Sequence, residues 1–482
     1  MFMSLAVGFY ILFQGYPIIC SIQYSLLDWS GMTSNATFIG LQNYKELMHD
    51  ELFWNAFINS FKYMVMIVPL ELAVSLFLAY LLNDEKMKGR GLYRTMYFVP
   101  VVTTASVVGI IMIFILGVQG PVNHLLVTLH ILKNPINFLG NAKYALPTLV
   151  IISLWKDCGT YMIYWLAGLQ GVSKDVYEAA TIDGANRRQT FFHIVLPLIA
   201  PTGGIIAILC AINSLKVFDI VKTMTEGGPY YATDVIATYV YRTAFSSEIG
   251  MPRLGYASAA ALFFGGAVII IGILLNAMKD RLQKYVQQGV EQMSKEKKIH
   301  IVKSVIKHGL LLCVGFFWIY PFLWMISASF KGQNEFFQNR MGLIPVQPTI
   351  DNFIRIWQKA DFGTYFINTI IVTAFSVIIV LIMTMMAGYA MGRYKFLGRN
   401  LCMAVFLASI AIPLVSTIIP TYEVVKGMNL VGTKLGLILS QAGGAHVIFL
   451  LLFTSFFQSV PNELEEASKI DGCNYFQTFF YI

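Results

Sequence analysis

The sequence predicts an all-α, polytopic transmembrane helix bundle of about ten spans in two parallel repeats. Three observations predict it. Of 482 residues, 57% are hydrophobic and 12% are charged, about half the charged share of ordinary soluble domains. Apolar stretches long enough to cross a hydrocarbon core of about 30 Å recur along the chain; residues 256–278 and 363–392 contain no charge. Two parts of the chain also match each other in order and direction. A soluble enzyme, a disordered chain and a disulfide scaffold are thereby excluded.

The spans are expected near 1–22, 56–82, 95–116, 145–170, 198–222, 256–278, 303–329, 363–390, 401–422 and 435–459. The first lacks the basic flank and cleavage site of a signal peptide, so it counts as a membrane helix. Lys and Arg set the direction. The loops 83–94, 171–197, 279–302, 391–400 and 460–482 hold 17 basic residues in 96, and the alternate loops hold 11 in 139. The denser set therefore faces the cytoplasm. This puts Lys88 and Lys295 inside, Asn35 and Gln333 outside. The net charge of +8 reads as basic cytoplasmic loops rather than a nucleic-acid surface. The six cysteines form no CxxC pair and read as small apolar residues.

The repeat organises the chain. Phe57-Ile58-Asn59-Ser60 recurs as Phe366-Ile367-Asn368-Thr369. At the same offset of 309, Asn43-Tyr44 matches Asn352-Phe353 and Gly89-Arg90 matches Gly398-Arg399. Further on the offset is 288, where 172–194 and 460–482 share 12 identities in 23 positions. The expected division is a first repeat over 1–280 with six spans, a cytoplasmic linker over 281–302, and a second repeat over 303–482 with four. The second copy ends at the counterpart of Ile194, so its last two spans are expected to be missing. The whole reads as two adjacent chains fused, or as a truncated record of such a fusion.

Within the matched segments, Glu178, Ala179, Asp183 and Gly184 correspond to Glu466, Ala467, Asp471 and Gly472. Ser173 or Pro461 can open a short helix. Glu178 and Ile182 lie one turn apart, which sets a carboxylate beside an apolar patch. Gly184 and Gly472 supply the left-handed residue that ends a helix. A second short helix bears Phe191 and Phe192, or Phe479 and Phe480. An amphipathic helix–turn–helix at the membrane surface suits docking in a partner's groove. One such Glu alone would read as a solvated interfacial charge; its duplication weighs against that.

These segments, 172–197 and 460–482, resemble the EAA loop of ABC importer permeases, specifically the carbohydrate, maltose-transporter-like type with paired subunits. Asp28-Trp29, residues 38–44, Phe218-Asp219 and Glu226-Gly227-Gly228-Pro229 resemble one subunit type. Residues 321–325 and 388–393 resemble the other. Ser468 and Cys473 depart from the pattern. The resemblance implies a MetI-like permease fold in the bacterial cytoplasmic membrane. It implies coupling helices seated on two ABC ATPase subunits at the cytoplasmic side, where Glu178 and Glu466 meet basic residues. It also implies an extracellular or periplasmic sugar-binding protein and a carbohydrate substrate. The chain itself has no G-x-x-x-x-G-K-[ST] phosphate loop. It is expected to be a non-catalytic subunit without a cofactor of its own, ATP and Mg being bound by the ATPase partners, and to bind no nucleic acid or metal.

Polar residues within spans are the next candidates. Glu71, the Lys156-Asp157 pair, His446 (the counterpart of Cys158), Lys216, Asp219 and Lys222 read either as neutralised or snorkelling groups or as a polar translocation path. Sugars present hydroxyls and apolar faces. Trp155, Tyr161, Tyr164, Trp165, Asn213 and Phe218 are therefore substrate-path candidates, against the alternative of packing and interfacial belts. Three rival functions remain: ABC import of a non-sugar solute such as a glycerol-phosphate ester, ion-coupled secondary transport, and a membrane-bound sensor or scaffold that uses the loops only for docking.

Overall fold

The computed structural model describes residues 2–31, 36–84, 87–246, 251–289, 302–339, 342–409, 414–444 and 446–481. Asn35 and Lys295 lie outside these. The linker expected over 281–302 continues as helix to Gly289, and 290–301 lie outside the described residues.

Helices dominate. In chain order they include α1 (Ser4–Ser25), α2 (Glu51–Leu82), α3 (Arg90–Val102), α4 (Ala105–Leu116), α5 (Ala142–Gln170), α6 (Lys174–Ile182), α7 (Thr190–Leu215), α8 (Asp219–Met224), α9 (Ile236–Phe245) and α10 (Leu254–Gly289). Then come α11 (Val302–Ser329), α12 (Phe362–Arg393), α13 (Arg399–Ser409), α14 (Leu414–Gly427), α15 (Lys434–Ala442), α16 (Val447–Ser459), α17 (Asn462–Ile470) and α18 (Tyr475–Tyr481). Among the described residues the strands are two: Leu27–Asp28 pairs antiparallel with Thr37–Phe38, Leu27 opposite Phe38. Asp50 shows why α2 starts where it does. Its Oδ1 accepts from the N–H groups of Leu52 (2.8 Å) and Phe53 (3.1 Å), satisfying two donors that the first turn leaves unpaired.

Among the described residues, seven helices are long and apolar enough to span a membrane: α1, α2, Ala105–Thr128, α7, Leu254–Leu275, His308–Ser329 and α12. The pair α15 and α16 is long and apolar enough only when taken together, and is bent by 57°, the geometry of a broken span or a re-entrant loop. The stretch expected over 95–116 divides at Thr103 into α3 and α4. The stretch over 145–170 is one 29-residue helix, α5, made less apolar by Lys156 and Asp157. The stretch over 401–422 falls in α13 and α14, with 410–413 outside the described residues.

The chain forms two compact units. One comprises Met1–His49, Val240–Gly266 and Ile356–Ile482, the other Asp50–Tyr239 and Ala267–Arg355. In the latter, α2 packs on α5 and α7, α3 packs on α5, and α11 packs on α3 and α4. Its core buries Leu78, Leu82, Tyr97, Met162, Trp165, Ile206 and Leu311. In the former, α12 packs on α15 and α16, and α1 packs on α14, around Tyr10, Phe406, Val447 and Leu450. Each unit thus combines the first span of one repeat with core helices of the other. The many exposed Ile, Leu and Phe side chains on these helices are what a lipid-facing surface requires.

The repeat is visible atom by atom. Asn43 Nδ2 donates to the carbonyls of Ser25 and Leu27, both at 2.9 Å. Its counterpart Asn352 donates to Ser329 (3.0 Å) and Lys331 (2.9 Å). In both copies this amide closes the chain reversal after the first span.

Candidate functional site

The two matched segments fold alike. Ser173 and Pro461 each occupy the N-cap position of a nine-residue helix, α6 and α17, and neither side chain caps it. Both helices end in the same hydrogen-bond pattern. Ala185 N–H donates to Ala180 O (2.9 Å) and Gly184 N–H to Thr181 O (3.1 Å); Cys473 N–H donates to Ser468 O (2.9 Å) and Gly472 N–H to Lys469 O (3.2 Å). This six-to-one plus five-to-two closure needs a left-handed residue, and Gly184 (φ +78°) and Gly472 (φ +82°) provide it.

The second helix of each segment opens with a reciprocal cap that the sequence reading missed. Asn186 N–H donates to Gln189 Oε1 and Gln189 N–H to Asn186 Oδ1, both at 2.9 Å. Asn474 and Gln477 repeat this at 2.8 and 2.9 Å. The signal was present as Asn-x-x-Gln in both copies, a variant of the capping box. A tyrosine from the last turns of a span then meets the second helix: Tyr80 on Phe191 (ring centroids 4.4 Å apart) and Tyr389 on Phe479 (5.2 Å).

The outward faces correspond as well. Glu178, Ala179, Asp183, Glu466, Ala467, Asp471 and Gly472 are exposed, and Gly184 is half-buried. Ile182 is 86% exposed and Ile470 85%, a large cost for an isoleucine unless something covers it. Ala180 and Ser468 are buried beneath. The departure at Ser468 has a physical reason: its hydroxyl lies 3.0 Å from Thr478 Oγ1, joining the two short helices.

The loops are anchored differently at Tyr177 and its counterpart. Tyr177, in the first, packs among apolar side chains. Its counterpart Glu465 accepts from Tyr389 and Tyr394 hydroxyls, both at 3.1 Å. Arg393 crosses beside it, donating to Asn462 Oδ1 (2.6 Å) and Val460 O (2.7 Å).

The substrate-path candidates separate. A cavity of about 190 Å³ is lined by Tyr161, Asn213 and Phe218 together with Tyr63, Glu71, Lys156, Asp157, Lys216 and Asp219. Asn213 Nδ2 donates to Tyr161 Oη at 3.3 Å. Lys156 and Asp157 pair at 2.9 Å and still face the cavity, so neutralisation and polar lining both describe them. Lys222 pairs instead with Glu226 at 3.6 Å. Glu71 is fully buried, and neither carboxyl oxygen has a hydrogen-bond partner among the described residues. Trp155 lies elsewhere: Nε1 donates to Trp318 O at 3.0 Å and the ring stacks on Phe322. Trp165 is buried core, its ring against Gly203. Tyr164 meets Tyr161 edge-on. Neither tryptophan is among the residues lining this cavity, and only burial patterns invisible in the sequence separate them from Tyr161.

Residues 71–292 and 385–482 match the model of one family, the inner membrane component of binding-protein-dependent transport systems. The chain is similar to the probable ABC transporter permease protein YurN of Bacillus subtilis, 31% identical over 285 residues, 59% of this chain and 94% of that protein. It is likewise similar to the lactose transport system permease protein LacF of Rhizobium radiobacter, 32% identical over 57% of this chain and 91% of that protein. A solved bacterial ABC transporter involved in alginate import shares its fold, with a TM-score of 0.50 at 24% identity over 57% of this chain and 92% of that one. The family match covers more than half the chain and falls in two stretches, as the internal repeat requires. The chain is a multi-pass inner-membrane protein and belongs to the family of inner membrane components of binding-protein-dependent transport systems.

Proposed function

We propose that this chain is the permease of an ABC importer for a sugar or oligosaccharide, with two permease copies, 1–280 and 303–482, joined by 281–302. The observation that carries the reading is the duplicated helix–turn–helix, which presents Glu178 and Ile182, and again Glu466 and Ile470, from rigid capped frames. An exposed isoleucine one turn from a carboxylate fits a groove with an apolar floor and a basic rim. Two ATPase subunits on the cytoplasmic side would supply such grooves and bind ATP and Mg. Relatives named for lactose transport and starch degradation products transport favour a carbohydrate. The solved alginate transporter in complex with a pentasaccharide-bound periplasmic protein favours delivery by an external binding protein. Tyr161, Asn213 and Phe218 at the polar cavity are the proposed substrate path, offering a ring face and hydrogen-bonding groups.

One observation favours a second solute class. Among the described residues Lys216 lines the cavity without an ion-pair partner, which suits a solute with an acidic group, a glycerol-phosphate ester among them. Reconstitution with ATPase subunits and binding protein tests the proposal. Sugar uptake should require ATP inside the vesicle. Uptake driven by an ion gradient without ATP would make the chain a secondary transporter, and phosphate-ester uptake without sugar uptake would select the second class.

A further inference from the structure

The short helix Asp351–Lys359, which precedes α12, divides into two faces. At 3.6 residues per turn, Phe353, Ile354, Ile356 and Trp357 fall on one side, and Asp351, Arg355, Gln358 and Lys359 on the other. All four apolar side chains are exposed, Trp357 by 62%. A helix that served a protein core would hide that side.

The first repeat shows that the position itself does not demand this. The counterpart helix, Gln42–Leu47, carries the matching closure at Asn43. Leu47 is fully buried there, whereas its counterpart Ile356 is 49% exposed. Glu46 pairs with Arg253 at 2.6 Å, and Asp50 accepts from the Tyr239 hydroxyl. The second repeat reverses both charges: Arg355 stands at the place of Glu46 and Lys359 at that of Asp50. Ile354 replaces Lys45, and Trp357 replaces Met48. Neither Arg355 nor Lys359 has an ion-pair partner among the described residues. An acidic helix tied to protein in one copy is thus an apolar and basic helix in the other.

The apolar side also continues the surface of a span. The Trp357 ring lies against Phe362, with centroids 5.6 Å apart, and Phe362 stacks on Phe366 at 6.0 Å. An aromatic row therefore runs from the short helix onto the first turns of α12, where Phe362, Tyr365 and Phe366 are exposed. Asp361, in the left-handed region at φ 48°, separates the two helices, so the short one does not prolong the span.

We propose that Asp351–Lys359 is a lipid-docking helix of the second repeat, lying in the outer headgroup layer with Phe353, Ile354 and Trp357 toward the acyl chains and Arg355 and Lys359 at lipid phosphates. Apolar and basic faces on one helix suit the plane of that layer, and Trp is favoured at its depth. The ring row selects lipid over a protein partner. Whatever covers Trp357 must also cover Phe362 and Phe366, and those stand on a helix long and apolar enough to cross the bilayer. The distribution of Lys and Arg puts the loop 330–362 outside, which makes the leaflet the outer one. The inference holds whichever solute is carried.

Spin-label accessibility in the full chain tests this. In a background without the native cysteines, a nitroxide is attached at Ile354→Cys or, on the opposite face, at Gln358→Cys, and the chain is reconstituted in bilayers of phosphatidylethanolamine and phosphatidylglycerol. At Ile354→Cys, collisions with oxygen, which concentrates in hydrocarbon, should exceed those with a water-soluble nickel chelate several-fold; at Gln358→Cys the order should reverse. Dominance of the chelate at both positions would leave the helix in water. Shielding of the Ile354→Cys label from both reagents would put protein on that face. Either result overturns the proposal. Arg355→Glu with Lys359→Glu should raise chelate collisions at Ile354→Cys several-fold, because lipid phosphates then repel the helix; unchanged collisions contradict the proposal.

Discussion

Arg393 and Glu465 meet at the joint between the last turn of α12 and the first turn of α17, with Nε and Oε2 3.8 Å apart and both side chains nearly buried. The guanidinium also holds Asn462 Oδ1 and Val460 O, and two tyrosine hydroxyls serve the carboxylate. In the first repeat Asp84 and Tyr177 stand at these places, and Tyr177 is packed among apolar side chains. The second loop is thus latched by charge at Glu465, where the first makes apolar contact through Tyr177.

The latch should be measurable. Each charge-assisted hydrogen bond lost with Arg393 is worth about 1.5–3 kcal/mol. Arg393→Ala should therefore speed hydrogen exchange of the 462–470 amides by at least about tenfold, and Arg393→Lys, which lacks the fork, should fall between. Unchanged protection in Arg393→Ala would mean that the loop stays docked without it.

Gly472 isolates the backbone contribution. A Cβ there would meet nothing within 4 Å, so Gly472→Ala is penalised only by its positive φ, about 1–2 kcal/mol. Gly472→Asn should recover part of that, because Asn tolerates the left-handed cap. Limited proteolysis of the loop in membranes reads the order: parent slowest, Asn next, Ala fastest. Equal cleavage of all three contradicts it.

The caps give a matched pair. Asn186→Ala and Asn474→Ala each remove a side chain that caps a short helix, at about 1 kcal/mol. Both should raise exchange in their own second helix and leave the other copy untouched. Coupled loss in both copies would show that the two hairpins are not independent.

Much of this was legible in the sequence because it depends on local spacing. The helix-ending glycines, the carboxylate one turn from an isoleucine, and the matching asparagines Asn43 and Asn352 all act within a few residues of themselves or at chain reversals. The parts that were not legible depend on distant packing. That α1 buries its face on α14, about 400 residues away, leaves no trace in either segment's periodicity. Trp155 and Trp165 sit on the same helix as Tyr161 with the same residue chemistry, and only the neighbouring α11 and Gly203 decide that they pack. The Asn-x-x-Gln caps are local as well, their two partners three residues apart in each copy.

The cavity can be separated from the core by substitution. Tyr161→Phe and Asn213→Ala remove the hydrogen-bonding groups that meet at 3.3 Å beside the cavity. Uptake at saturating loaded binding protein should fall several-fold, with thermal stability close to the parent's. Trp165→Ala should do the reverse first, lowering stability by about 3–5 kcal/mol. A Tyr161→Phe, Asn213→Ala double variant with parental uptake would remove the cavity from the substrate path.

We propose that Glu178 and Glu466 transmit ATPase closure to the bundles. Both are exposed on frames held by identical caps, and neither has a hydrogen-bond or ion-pair partner among the described residues. Removing them should cost little in folding, since exposed substitutions of this kind stay within about 0.5 kcal/mol. The most direct measurement is ATP hydrolysis by the reconstituted complex as sugar-loaded binding protein is titrated in. The account predicts that Glu178→Ala with Glu466→Ala abolishes the response and sharply reduces uptake, with arginine at both positions worse than alanine. Parental stimulation and parental uptake in the double alanine variant would contradict it and leave both carboxylates as solvated surface charges.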